Sequence, residues 1–160
     1  MPNTTKYNRQ AAVSYVQRWA LSRNPLYYDF DGLGGDCSNF ASQCIYAGSA
    51  IMNFTPITGW YYISLNKRSA AWSSVIYLHK FLTTNKGVGP YAQTVNRKSI
   101  MIGDLIQLKQ KSIFTHSLIV TEVTNNDILI ACHTMDSLNR PLSTYFYDDI
   151  RFIHILGVRR

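Results

Sequence analysis

A free thiol placed where a glycine loop turns into an apolar helix is the first chemistry this sequence offers. Gly35-Asp36-Cys37-Ser38-Asn39 follows the turn-rich stretch Asp29-Phe30-Asp31-Gly32-Leu33-Gly34, and the unpaired amides of a helix start favour negative charge there. Such a position draws a thiol toward its thiolate, the nucleophilic form. The bland alternative for Cys37 is a small buried hydrophobe. Cys44 suits that role better: it sits about 10 Å further along the helix axis, too far for a disulfide between the two.

A thiolate nucleophile works with a base, and the base with a group that orients it. The sequence has four histidines. His79 falls in the apolar stripe Val75, Leu78, Leu82 and is expected to pack in the core, while His154 interrupts Phe152-Ile153-His154-Ile155-Leu156 and reads as a strand residue with a satisfied side chain. His116 and His133 are left. A hairpin turn centred on Asn125 and Asn126 sets His116 opposite Met135 and His133 opposite Leu118, which brings both imidazoles to one face and sends Asp136 to the other. They would then be diagonal neighbours, roughly 7–8 Å apart at the backbone, unless a bulge intervenes. Two strand histidines paired by coincidence is the alternative. Zinc held by Cys37, His116, Cys132 and His133 is a further use of the same side chains, but Cys132 and His133 are adjacent in a strand and point to opposite faces. No metal is expected.

These residues need elements to hold them. Ala12, Tyr15, Val16 and Trp19 recur at helical spacing and stop before Asn24-Pro25; Cys37, Phe40, Ala41, Cys44, Ile45 and Gly48 form a second helix; a third follows Ser73 or Ser74. The second half changes period, with β-branched runs at 105–108, 117–123, 128–133 and 152–158, and Asn125-Asn126-Asp127 as a hairpin turn. Helices followed by antiparallel strands give an α+β class. Without repeats or linkers, 160 residues at 46% apolar composition fit one domain over 1–160.

Composition bounds the function classes. The longest unbroken apolar run is Ile128 to Cys132, far short of the roughly 18 residues of a membrane span. Sixteen Lys and Arg against nine Asp and Glu leave +7, a field that suits nucleic acid, anionic lipid or an acidic wall polymer without choosing among them. The basic residues are scattered doublets, so no binding segment stands out. Three cysteines, without scaffold or Cys-x-x-Cys spacing, leave at least one thiol free. Residues 1–10 hold no secretory-type apolar stretch, so as written the chain starts in the cytoplasm, and action at the cell wall would need a removed signal or another export route.

The blocks Tyr7-Asn8-Arg9 with Ala12, Gly35-Asp36-Cys37-Ser38-Asn39-Phe40-Ala41-Ser42-Gln43-Cys44, Gly59-Trp60-Tyr61-Tyr62, Gly103-Asp104-Leu105-Ile106-Gln107, His116-Ser117-Leu118-Ile119-Val120 and His133-Thr134-Met135-Asp136 carry a resemblance over nearly the whole chain. In order and spacing it resembles the bacterial putative amidase domain family, a papain-like group similar to the CHAP and NlpC-type cell-wall amidases and peptidases. The resemblance implies a papain-like fold with N-terminal helices on a C-terminal antiparallel sheet, and a cysteine amidase or peptidase without cofactor, acting on peptidoglycan. By position it makes Cys37 the nucleophile, His116 the general base and His133 the orienting residue, with Asp136 as the other candidate for that place. Asp36 and Ser38 would hold a substrate amine and Trp60 would line the cleft, a core tryptophan being the alternative. Asp31 and other loop residues occupy the region of papain's oxyanion glutamine, which leaves the Cys37 and Ser38 amides, with Tyr27 or Tyr28, to form the hole. Nucleic acid is not an expected partner on this reading. The rival class is a non-catalytic basic module that binds a wall polymer or nucleic acid through aromatics and scattered cations.

Overall fold

The computed structural model describes residues 2–160. Helix α1 (Arg9–Trp19) begins where the Asn8 side chain accepts the Ala11 amide, the ordinary way a first-turn donor is satisfied. Helix α2 (Cys37–Ser49) ends in left-handed Ala50. A short α3 (Ala70–Ser73) leads to α4 (Val75–Thr84), whose first turn is capped by Ser74.

Strands β1 (Thr4–Thr5), β2 (Tyr62–Ser64), β3 (Lys67–Arg68), β4 (Gly89–Val95), β5 (Leu105–Gln110), β6 (Ile113–Val123), β7 (Ile128–Cys132), β8 (Ser137–Pro141) and β9 (Asp149–Arg159) complete the chain. All but β2 and β3, which form a ribbon of their own, join one sheet in the order β1-β9-β5-β6-β7-β8 with β4 also on β9, and the paired strands run antiparallel. The fold is α+β.

Alternation along the strands gives the sheet two apolar faces. Leu105, Ile119, Ala131 and Ile153 face the helices and pack with Phe40, Cys44, Ile45, Trp60 and Trp72. Ile106, Leu108, Leu118, Val120, Ile130 and Cys132 face the other way, under Leu142 and Phe152. Helix α2 is buried from Cys37 to Ile45 on every side, so its polar residues carry partners: Ser38 meets the Ser117 hydroxyl, Gln43 accepts from Tyr15, and Ser42 donates to the Trp72 carbonyl while accepting the Trp60 indole. Burying these groups unpaired would cost roughly 1–3 kcal/mol each.

The hairpin corrects the face assignment of the histidines. Val123 and Glu122 pair with Ile128 and Leu129, but Val120 and Ile119 pair with Ile130 and Ala131. Thr121 is the extra residue of a bulge, buried with its hydroxyl unpaired. One inserted residue reverses the facing of everything beyond it. His116 therefore shares the face of Leu118 and Cys132, and His133 turns to the helix side. His79 is half-buried against Thr94 of β4 rather than a core histidine. His154 does end satisfied, on the buried Asp104 that also holds Arg9 of α1.

Candidate active site

Cys37 opens α2. Asp36 precedes it as N-cap residue but makes no side-chain cap, so its carboxylate leaves the helix-start amides unclaimed. Cys37 is 8% exposed, and its thiol points at the part of β6 that has run past the end of β7, donating to the Thr115 carbonyl at 3.9 Å. Burial pushes the thiol up from its ordinary range, opposed by hydrogen bonding from the Ser117 amide and from the hydroxyl and amide of Ser38. Cys44 is fully enclosed and raised well above it by burial.

His116 stands between Thr115 and Ser117 and lines a cleft of about 470 Å³ with Gln110, Thr115, Arg140, Tyr145 and Phe146. Burial first and the Arg140 charge second lower its imidazole to about 4, so it is neutral at physiological pH. Tyr145 lies 5.9 Å from it, ring to ring, with its hydroxyl 3.2 Å from the Cys132 sulfur. A larger hollow of about 620 Å³ beside α1 has no cysteine, histidine or carboxylate in its lining and offers no comparable chemistry.

His133 is held elsewhere. Its Nδ1 lies 2.5 Å from Asp36 Oδ2 and its Nε2 2.9 Å from the Trp19 carbonyl. Each ring nitrogen faces an oxygen, so both edges of the ring are committed. The imidazole stacks on Phe40, ring centroids 3.9 Å apart. Asp36 Oδ1 accepts from the Phe30 amide and from Asn39. Arg23 adds a rim of ion pairs with Asp29, Asp31 and Asp136, with its Nε 3.8 Å from Asp36.

Several expected roles change. Asp36 and Ser38 are buried and taken by Phe30, Asn39, His133 and Ser117, which leaves them no face for a substrate amine. Trp60 is fully buried against Trp72 and Phe81, the core alternative. Tyr27 is packed on Tyr62 and Trp72, and the ring of Tyr28 on Phe30. His133 does not share the sheet face of His116, and both its nitrogens are committed. Cys132 and His133 diverge, and among the described residues no three His, Cys, Asp or Glu side chains converge in a metal-holding group. No helix of the described residues is long and apolar enough to cross a membrane.

Residues unmarked in the sequence complete the site. The amide of Asp36 donates to the Thr134 hydroxyl, and Thr134 and Met135 both take left-handed backbone angles, a turn conformation that costs non-glycine residues about 1 kcal/mol or more each. The turn after β7 thus grips the residue before Cys37. Gly35 has φ +97 and a Cβ there would come within 3.2 Å of the Thr134 hydroxyl. Gly35→Ala should cost about 1–3 kcal/mol in urea unfolding and slow Cys37 chemistry with it; an unchanged midpoint would show that the loop relaxes freely. Only the His-Thr-x-Asp stretch hinted at Thr134, and nothing local marked Arg23, Arg140 or Tyr145.

The family model for the putative amidase domain matches residues 6–156. The chain belongs to the putative amidase domain family. The uncharacterized protein YhbB of Bacillus subtilis (strain 168) is 29% identical over 162 residues, which cover 94% of this chain and 51% of that protein; the chain spans about half the length of this curated relative. No solved structure matches. Membership in the putative amidase domain family directs attention to amide bonds, and the 115–117 segment of β6 both receives the Cys37 thiol and carries His116.

Proposed function

We propose that this chain is a cysteine-dependent amide hydrolase of papain-like type, with Cys37 as nucleophile and His116 as general base, acting on peptidoglycan or a related peptide. The observation that carries the reading is the Cys37 thiol at an uncapped helix start, hydrogen-bonded to the carbonyl of Thr115, the residue that precedes His116, whose imidazole lines an open cleft. His116 takes the thiol proton as sulfur attacks the amide carbon, and the oxyanion meets the free amides of the α2 start. Collapse breaks the C–N bond, and His116 returns the proton to the leaving amine. Water, deprotonated by His116, then attacks the thioester, releasing the acid and the thiol.

Binding alone would not require a reactive Cys37. Mass spectrometry after brief iodoacetamide treatment should find Cys37 modified ahead of Cys44 and Cys132, and modified protein should release no fragments from purified peptidoglycan. Modification that leaves release intact would refute the reading. A base must be neutral to accept a proton, and His116 is lowered to about 4; kcat/KM should therefore hold from neutrality downward and fall as pH drops through about 4. An acid limb near 6.5 would mean a different base.

A further inference from the structure

Arg140 on β8 is the cation of the cleft. Its Nε donates to Thr144 Oγ1 at 2.7 Å and its Nη2 to the Thr144 carbonyl at 3.2 Å, while the guanidinium lies 3.8 Å from the Tyr145 ring centre. The group is thus oriented by neutral partners only, and a guanidinium has five donors, so further N–H groups stay free. Three arginines meet acids, Arg9 with Asp104, Arg97 with Asp127, and Arg23 with its aspartates; Arg18, Arg68, Arg151, Arg159 and Arg160 are held by neutral partners as Arg140 is, but none of them lines the His116 cleft. Among the described residues Arg140 forms no ion pair, and the cleft lining contains neither Asp nor Glu. The groups that sense its charge, His116, Cys132 and Tyr145, are neutral when it does so. A preoriented, unneutralised guanidinium over the Tyr145 ring, in the cleft that His116 lines, is built to receive a planar anion.

We propose that Arg140 is a substrate-binding residue that clasps a carboxylate carried by the amide substrate close to the bond that is cut. This rests on the reading of the cleft as the site of amide hydrolysis and deepens it to a substrate class, amides of carboxylate-bearing peptides. Burial is the first cause that keeps His116 neutral and the Arg140 charge the second; a carboxylate bound there offsets that second part, so the base strengthens as the substrate arrives.

Iodoacetate and iodoacetamide differ by that charge and alkylate the same sulfur. The ratio of their rates at Cys37, measured on the full chain at low ionic strength and normalised to free cysteine, should favour iodoacetate by about tenfold in the wild type. It should drop to the free-cysteine value in Arg140→Gln and be partly kept in Arg140→Lys, with melting temperatures confirming the fold of each. In hydrolysis, amidating the carboxylate of a cleaved peptide should raise KM about tenfold for the wild type and not for Arg140→Gln. Equal ratios in wild type and Arg140→Gln, with Cys37 reactive, overturn this inference alone. A Cys37 inert to both reagents overturns the nucleophile assignment and this inference with it.

Discussion

Cys37→Ser should fold and melt like the wild type yet lose amide hydrolysis by about 10⁴-fold or more, the scale on which nucleophile removal acts. The fold is spared because a hydroxyl of similar shape can take over the thiol's contacts to the Thr115 carbonyl, the Ser117 amide and Ser38. The chemistry is not spared, since serine is a far weaker acid than cysteine and His116, lowered to about 4, is a weak base toward it. Cys44→Ala reverses the pattern: its sulfur is sealed in the core, so the variant should lose roughly 1–2 kcal/mol of stability and keep its turnover. Full activity in Cys37→Ser, measured as fragments released from peptidoglycan, would remove Cys37 from the mechanism.

His133→Ala should be the most destabilising single change at the site, at about 3–5 kcal/mol, because it deletes the buried hydrogen-bond partner of Asp36 and strands that carboxyl in the core. Asp36 would keep its Phe30 and Asn39 donors but lose His133, leaving Arg23 Nε at 3.8 Å as the nearest cation. Native stabilities of 5–15 kcal/mol make that a large share. Activity should fall with the folded fraction, since Asp36 leads directly into Cys37. Adding Asp36→Asn should recover part of the loss, and the shortfall from additivity measures the pair. Asp136→Ala removes only a partly exposed contact to Arg23, worth up to about 1 kcal/mol, and should retain turnover. Urea unfolding beside turnover separates the cases: a His133→Ala protein with wild-type stability and no activity would mean that this imidazole serves the base after all.

Much of this was legible one residue at a time. Helical spacing located α1, α2 and α4, β-branched runs located β5, β6, β7 and β9, and the glycine loop marked Cys37 as the thiol at a helix start, because propensity, periodicity and capping act over a few neighbours. The strands β4 and β8 escaped: Gly89 and Pro90 in one, and Asn139 and Pro141 in the other, argue against a strand when read alone, and pairing with β9 and β7 supplies what propensity lacks.

The tertiary structure decided how the site is wired. A single bulged residue, Thr121, separates His116 from His133, and no local pattern forecasts where a sheet absorbs an extra residue. The helix-start sequence identified Asp36, Cys37 and Ser38 as a group, but which of them would be enclosed depended on the turn at Thr134 and on Phe40 stacking under His133. That is why Asp36, read as a substrate contact, is a buried anchor instead. Arg23 and Arg140 carry identical side chains, and one is surrounded by aspartates while the other faces an acid-free cleft. Residue type determined which chemistry was available to this chain; the long-range contacts, whose energies depend on burial and partner geometry, determined which groups were left free to perform it.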